Sequence, residues 1–178
     1  QGLLKQGVDV NAVPATHEGP ALCYAATEGH VDVMAELVAA GADVDKAGVR
    51  GVMKGRTPLM RAAYRGEVEA VRLLLDHGAD WRKTDGDGDT ALDIVMSELR
   101  QSKSAVASAK VRRRCRQLDV LTVLREWALQ HGTAAEKAAL RESEAEWQRQ
   151  AMEWAEEALA AAQKRAAEAD DDFWLTEH

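Results

Sequence analysis

Gly41-Ala42-Asp43 recurs as Gly78-Ala79-Asp80 and, more loosely, as Gly7-Val8-Asp9. Upstream of the first two stands the same set of residues: Leu22, Ala25-Ala26 and Gly29, then Leu59, Ala62-Ala63 and Gly66. Leu92 is a third such leucine. From Leu59 to Leu92 is 33 residues and from Leu22 to Leu59 is 37, a period of 33 with a four-residue insertion. A fixed period of this length constrains the chain more than any composition does. It calls for a stack of like units, each too small to bury its apolar faces alone.

Each unit has local reasons to form two short helices. Thr57 is a good N-cap, and Pro58 at the first helical position forfeits no needed N–H. Thr90 opens the next unit in the same way. Leu59, Ala62 and Ala63 make one face, whose small alanines let neighbouring helices approach closely. Gly66 breaks that helix. Val68, Val71, Leu74 and Leu75 then follow the spacing of a second buried face, which Val31, Met34, Leu37 and Val38 repeat 37 residues earlier. Gly78 ends the second helix at a left-handed position that glycine adopts cheaply.

The stretches GRTPLMRAAYRGEVEAVRLLLDHGAD (Gly55 to Asp80), LCYAATEGHVDVMAELVAAGADVD (Leu22 to Asp45) and DGDGDTALDIV (Asp85 to Val95) resemble the ankyrin repeat. The resemblance runs from about Leu3 to Gly132. It implies an all-α solenoid of helix-turn-helix units with β-turn tips: a partial first repeat, two full repeats and a divergent last one. The last repeat carries extra residues near 97–119 and a second helix over Leu118 to Leu129, with Leu121, Leu124 and Ala128 on one face. Two departures stand out. Pro20 occupies a cap position where the family prefers Thr, which weakens that helix start. Cys23, Met60 and Asp93 stand where the family often has His. The chain starts at Gln1 rather than Met, and inside a second helix, so an upstream segment is expected.

The resemblance also implies partner binding on the concave side, formed by turn tips and first-helix surfaces. Carried over by position, that side holds Tyr24, Thr27, Glu28, Met53, Lys54, Arg56, Arg61, Tyr64, Arg65, Asp87 and Asp89. The partner-binding set is Tyr24, Lys54, Arg56, Arg61, Tyr64 and Arg65. Its basic members cluster around Tyr64, and Arg and Tyr are residue types that anchor interfaces. An acidic or phosphorylated protein segment is the matching partner. A merely solvated basic face is the alternative.

Charge separates the last quarter of the chain from the rest. Residues 133–178 hold twelve acids and five bases, which accounts for the whole formal charge of −7. The expected division is therefore 1–132 for the repeats and 133–178 for an acidic Ala/Glu-rich helix with a short acidic-aromatic tail. Thr133-Ala134-Ala135-Glu136 reads as a capping box, and no Gly or Pro interrupts Thr133 to Ala169. Leu140, Trp147, Trp154 and Ala161 fall at steps of seven, a short coiled-coil stripe broken by Glu144 and Arg165. Three roles fit this helix: a cap on the final repeat, self-association through 133–169, or a free solvated helix. Asp170-Asp171-Asp172 followed by Phe173-Trp174-Leu175 forms an acidic-aromatic segment complementary to the Arg56/Arg61/Arg65 cluster.

The remaining motifs are weaker. Asp85-Gly-Asp-Gly-Asp89 begins like a calcium loop, but position 6 is Thr90 and position 12 is Met96, where Gly and Glu are required. Lys110-Val-Arg-Arg-Arg-Cys-Arg116 suits a nuclear-import or nucleic-acid patch as well as an exposed basic loop or helix end, and no aromatic platform accompanies it. Cys23 belongs to a helix face. No catalytic, cofactor-binding or metal-ligating set emerges, and a nucleic-acid partner ranks last. No apolar run is long enough to span a membrane. Two cysteines suit a reducing, intracellular setting, cytoplasmic or nuclear. The expected function is a non-catalytic adaptor or scaffold. The alternatives are an oligomerising scaffold built on the C-terminal helix and a regulatory segment of a larger enzyme.

Overall fold

The computed structural model describes residues 9–101 and 108–142, with isolated helical positions at 149, 152, 153 and 160. Six α-helices follow in order: α1 (Ala21–Glu28), α2 (Val31–Ala39), α3 (Pro58–Arg65), α4 (Val68–Asp76), α5 (Ala91–Gln101) and α6 (Ser108–His131). A further helix, α7, covers 134–142. The first helices α1, α3 and α5 pack in sequence as one layer, and the second helices α2, α4 and α6 as another. The core lies between the layers.

The first four helices have only eight or nine residues. Isolated helices shorter than about 12 residues are marginal in water, so stacking supplies their stability. Leu22, Leu59, Met34, Val71, Leu74 and Leu75 are all buried, and Ala26, Ala62 and Ala63 bring the first helices into close contact. Leu92, the third leucine of the series, is only half-buried. It lies on α5, the last first helix among the described residues, and so lacks a neighbour on one side.

The caps follow the sequence closely. The Met60 N–H donates to Thr57 Oγ1 at 3.3 Å, and the Thr57 N–H donates back to Met60 Sδ at 3.4 Å. At α7 the Glu136 N–H donates to Thr133 Oγ1, and the Thr133 N–H donates to Glu136 Oε2 at 2.6 Å. Pro20 caps α1 with no side-chain hydrogen bond, so that start is indeed weaker. Gly66 ends α3 at φ 80°, close against α6: a Cβ there would meet Arg116 Cβ at 3.0 Å.

The last repeat departs from expectation. Its second helix begins at Ser108, ten residues before Leu118, and α5 continues to Gln101. Most of the extra length therefore extends the two helices instead of forming a loop. Leu121, Leu124 and Ala128 are buried as expected, joined by Val120 and Val123.

The turn tips carry their own ladder. Asn11 Oδ1 accepts from the Asp43 N–H at 2.8 Å, while Asn11 Nδ2 donates to the Gly41 carbonyl. One unit later, Asp45 accepts from the Asp80 N–H at 3.1 Å. Asn11, Asp45 and Arg82 are equivalent positions, each two residues after the Asp of its Gly-x-Asp turn. Arg82 turns its guanidinium onto Glu136 of α7, with bonds of 2.8 and 3.1 Å, and stacks over the Trp81 ring. Arg125 of α6 also reaches the Leu140 carbonyl of α7. The start of the acidic helix is thus fastened to both the last turn and the last repeat helix.

Candidate functional site

The candidate site is built on the first helices α1 and α3 and the loop that joins their repeats. The four-residue insertion closes this loop on itself: a 3-10 turn spans Gly51–Met53, and Gly48 pairs with Lys54. Met53, expected at the surface, is 4% exposed and pins the loop from beneath. Val49 and Val52 point outward, with Val52 69% exposed. Lys54 is exposed and has no ion-pair partner among the described residues.

Tyr64 is the centre of the cluster. The Arg56 guanidinium lies 5.6 Å from its ring centroid and that of Arg61 5.7 Å, both within cation–π range. Arg56 is anchored by Asp85, Nε to Oδ2 at 3.3 Å. Asp85 Oδ1 accepts in turn from the amides of Asp87 and Asp89. Burial pushes the Asp85 carboxyl up, but those amides and Arg56 together hold it below the usual carboxylate range. The Asp85–Asp89 turn therefore uses its first carboxylate on the backbone and on Arg56, which explains the acidic motif without calcium.

Thr27 of α1 organises the other two arginines. Its hydroxyl donates to the Cys23 carbonyl at 2.7 Å and accepts from Arg61 Nε at 3.2 Å. Its carbonyl accepts from Arg65 Nε at 3.3 Å. Arg65 remains exposed, with a loose 4.0 Å contact to Glu28. Arg61 differs from its expected presentation: it is 7% exposed, enclosed between Thr27, Tyr64 and the flanking arginines. Burial lowers its pKa, and the nearby Arg56 lowers it further. No carboxylate lies within ion-pair distance of Arg61 among the described residues.

Tyr24 stands at the edge of this arrangement. Its hydroxyl accepts from the Glu18 N–H at 3.0 Å, and its ring meets the edge of His17 at 5.8 Å. The structure brings Arg56, Arg61, Tyr64 and Arg65 together and leaves Tyr24 and Lys54 as flanks. Thr27, as the clamp, and Asp85, as the anchor, complete the site. Thr27 was in the family-derived surface, but its clamping role depends on residues 34 and 38 positions away. Cys23, on the buried face of α1, has its thiol pushed up to about 12 by burial, which leaves it inert at neutral pH.

Of the basic run, Arg116 pairs with Glu67 at 3.4 Å, and the side chains of Lys110 to Cys115 lie outside the described residues. So do Trp147, Trp154, Ala161 and the Asp170–Leu175 segment. Trp127 of α6 packs on the core and stacks on His131 at 4.1 Å. No helix of the described residues is long and apolar enough to cross a membrane.

Comparison with known proteins agrees with the repeat fold. A family profile described as "Ankyrin repeats (3 copies)" matches residues 22–106. The chain is 41% identical over 75 residues to the mouse ankyrin repeat and SAM domain-containing protein 6, covering 42% of this chain and 8% of that protein. It is 33% identical over 98 residues to the putative E3 ubiquitin-protein ligase XBAT34 of Arabidopsis thaliana, covering 55% of this chain and 26% of that protein. It is 34% identical over 94 residues to the human DNA-binding protein RFXANK, covering 52% and 35%. The chain thus spans well under half the length of these relatives, whose names describe different whole-protein roles. Ankyrin repeats generally mediate protein–protein interaction and are typically non-catalytic. Residues 22–106 of this chain belong to the ankyrin-repeat family.

Proposed function

We propose that this chain is a non-catalytic protein-interaction module of an intracellular adaptor or scaffold. It holds a segment of a partner protein on the concave, first-helix side of residues 1–132, and residues 133–178 form an acidic extension. Tyr64 and Arg65 are the central contacts, Lys54 and Tyr24 the flanks, and Arg56 and Arg61 the charges behind them. The observation that carries this reading is the pair of guanidiniums over one tyrosine ring, held in place by Asp85 and Thr27. Such a rigid aromatic-basic centre suits a partner with acidic or phosphorylated side chains.

Site-specific photo-crosslinking tests it. A photoreactive residue at position 64 is compared with one at position 33, where Val33 is exposed on the second-helix layer. Capture of a discrete partner from 64 but not 33, abolished by Arg65→Glu, is expected. Equal capture from both faces would defeat the proposal.

A further inference from the structure

Arg61 is more than nine-tenths buried, and its only hydrogen bond among the described residues is the inward one from Nε to Thr27. Its two Nη groups have no acceptor there and are not buried atoms left unsatisfied, so this edge opens to solvent. Its neighbours add positive charge: Arg56 on one side and Arg65 on the other. A buried guanidinium is ordinarily matched by a carboxylate, because removing it from water is costly and a single tyrosine face compensates only in part. The two carboxylates nearby are committed elsewhere. Asp85 serves Arg56 and two amides, and Glu28 touches only Arg65. The cluster is short of one negative group.

We infer that Arg61 is the receptor for a single side-chain carboxylate of an acidic partner segment, which enters beside Tyr64 and takes Arg65 from Glu28. This inference rests on the concave-side reading above. Shape favours a carboxylate over a phosphate. With Nε turned inward, the guanidinium offers one planar Nη edge, which suits the flat two-oxygen face of a carboxylate. Glu28, 58% exposed and 4.0 Å from Arg65, is the internal competitor that the incoming carboxylate displaces.

The test uses the full chain with nitrogen-15 label and follows the Arg side-chain Nε–H signals. Three synthetic decapeptides serve as probes: one with three consecutive glutamates, its glutamine counterpart and its phosphoserine counterpart. The glutamate peptide is expected to shift the Arg61 signal, and the glutamine peptide to leave it in place. Arg61→Lys keeps the charge but loses the planar fork, so affinity should fall about tenfold. Glu28→Gln removes the competitor, and affinity should rise about two- to fivefold, the scale of an exposed ion pair. Thr27→Val leaves Arg61 in place but frees its orientation, and should weaken binding even if Arg61→Lys does not fold. Shifts at Lys54, Tyr64 and Arg65 without Arg61 would overturn the inference and spare the concave-side reading. An Arg61 response to the phosphoserine peptide alone would overturn the carboxylate assignment. Silence from all four residues, or unchanged affinity in both Thr27→Val and Glu28→Gln, would overturn it as well.

Discussion

A single hydroxyl does two different jobs at Thr57 and Thr27. At Thr57 it closes a helix end, and the returning bond from the Thr57 N–H is accepted by a sulfur rather than a carboxylate. Thr57→Ala should destabilise the protein by about 1 kcal/mol in chemical denaturation, the usual loss for an N-cap. At Thr27 the hydroxyl fixes the site by holding Arg61. The first role was legible in the sequence because a cap is local: Thr57, Pro58 and Met60 are near neighbours. The burial of Arg61 was not, because it depends on a residue 34 positions earlier and on the stacking that brings the two together. Sequence position assigns Arg61 to the expected binding side but says nothing of its burial. Only packing shows that it lies behind Tyr64 and Arg65.

At the scale of elements, α6 shows where sequence periodicity loses reach. Its C-terminal half has a clear apolar face, which the spacing of Leu121, Leu124 and Ala128 announces. Its N-terminal half includes the Lys110–Arg116 run, which reads as a loop by charge. Yet no Gly or Pro lies between Ser97 and Gly132, so nothing in the sequence stops either helix from extending. One carboxylate carries the join between the third turn and α7. The Arg82 hydrogen bond, with help from the Thr133 amide and hydroxyl, holds Glu136 down at about 2. A carboxyl lowered from its ordinary value stabilises the folded form at pH above that value and ceases to do so as pH falls towards 2. An NMR pH titration should therefore show Glu136 titrating well below the usual carboxylate range. Arg82→Ala should raise it towards the ordinary range, with the Thr133 bonds holding part of the shift. Ordinary titration of Glu136 in the unaltered chain would contradict the clasp.

The molecule as a whole behaves as coupled layers. Leu74 is fully buried on α4, and α4 contacts α2, α3 and α6. Leu74→Ala should cost about 2–5 kcal/mol by cavity formation. Because each repeat is stable only against its neighbours, the loss should appear as a lower unfolding midpoint reported alike from α1 and α6. Two separate transitions by site-specific probes would show that the layers are not coupled.

The ladder at the turn tips has a direction. Asn11 and Asp45 each offer an oxygen to the backbone amide of the turn that follows. At the same position Arg82 has only donors, and it is occupied by Glu136. The third rung is thus an ion pair between side chains, which salt screens, while the first is a neutral amide bond, which salt leaves alone.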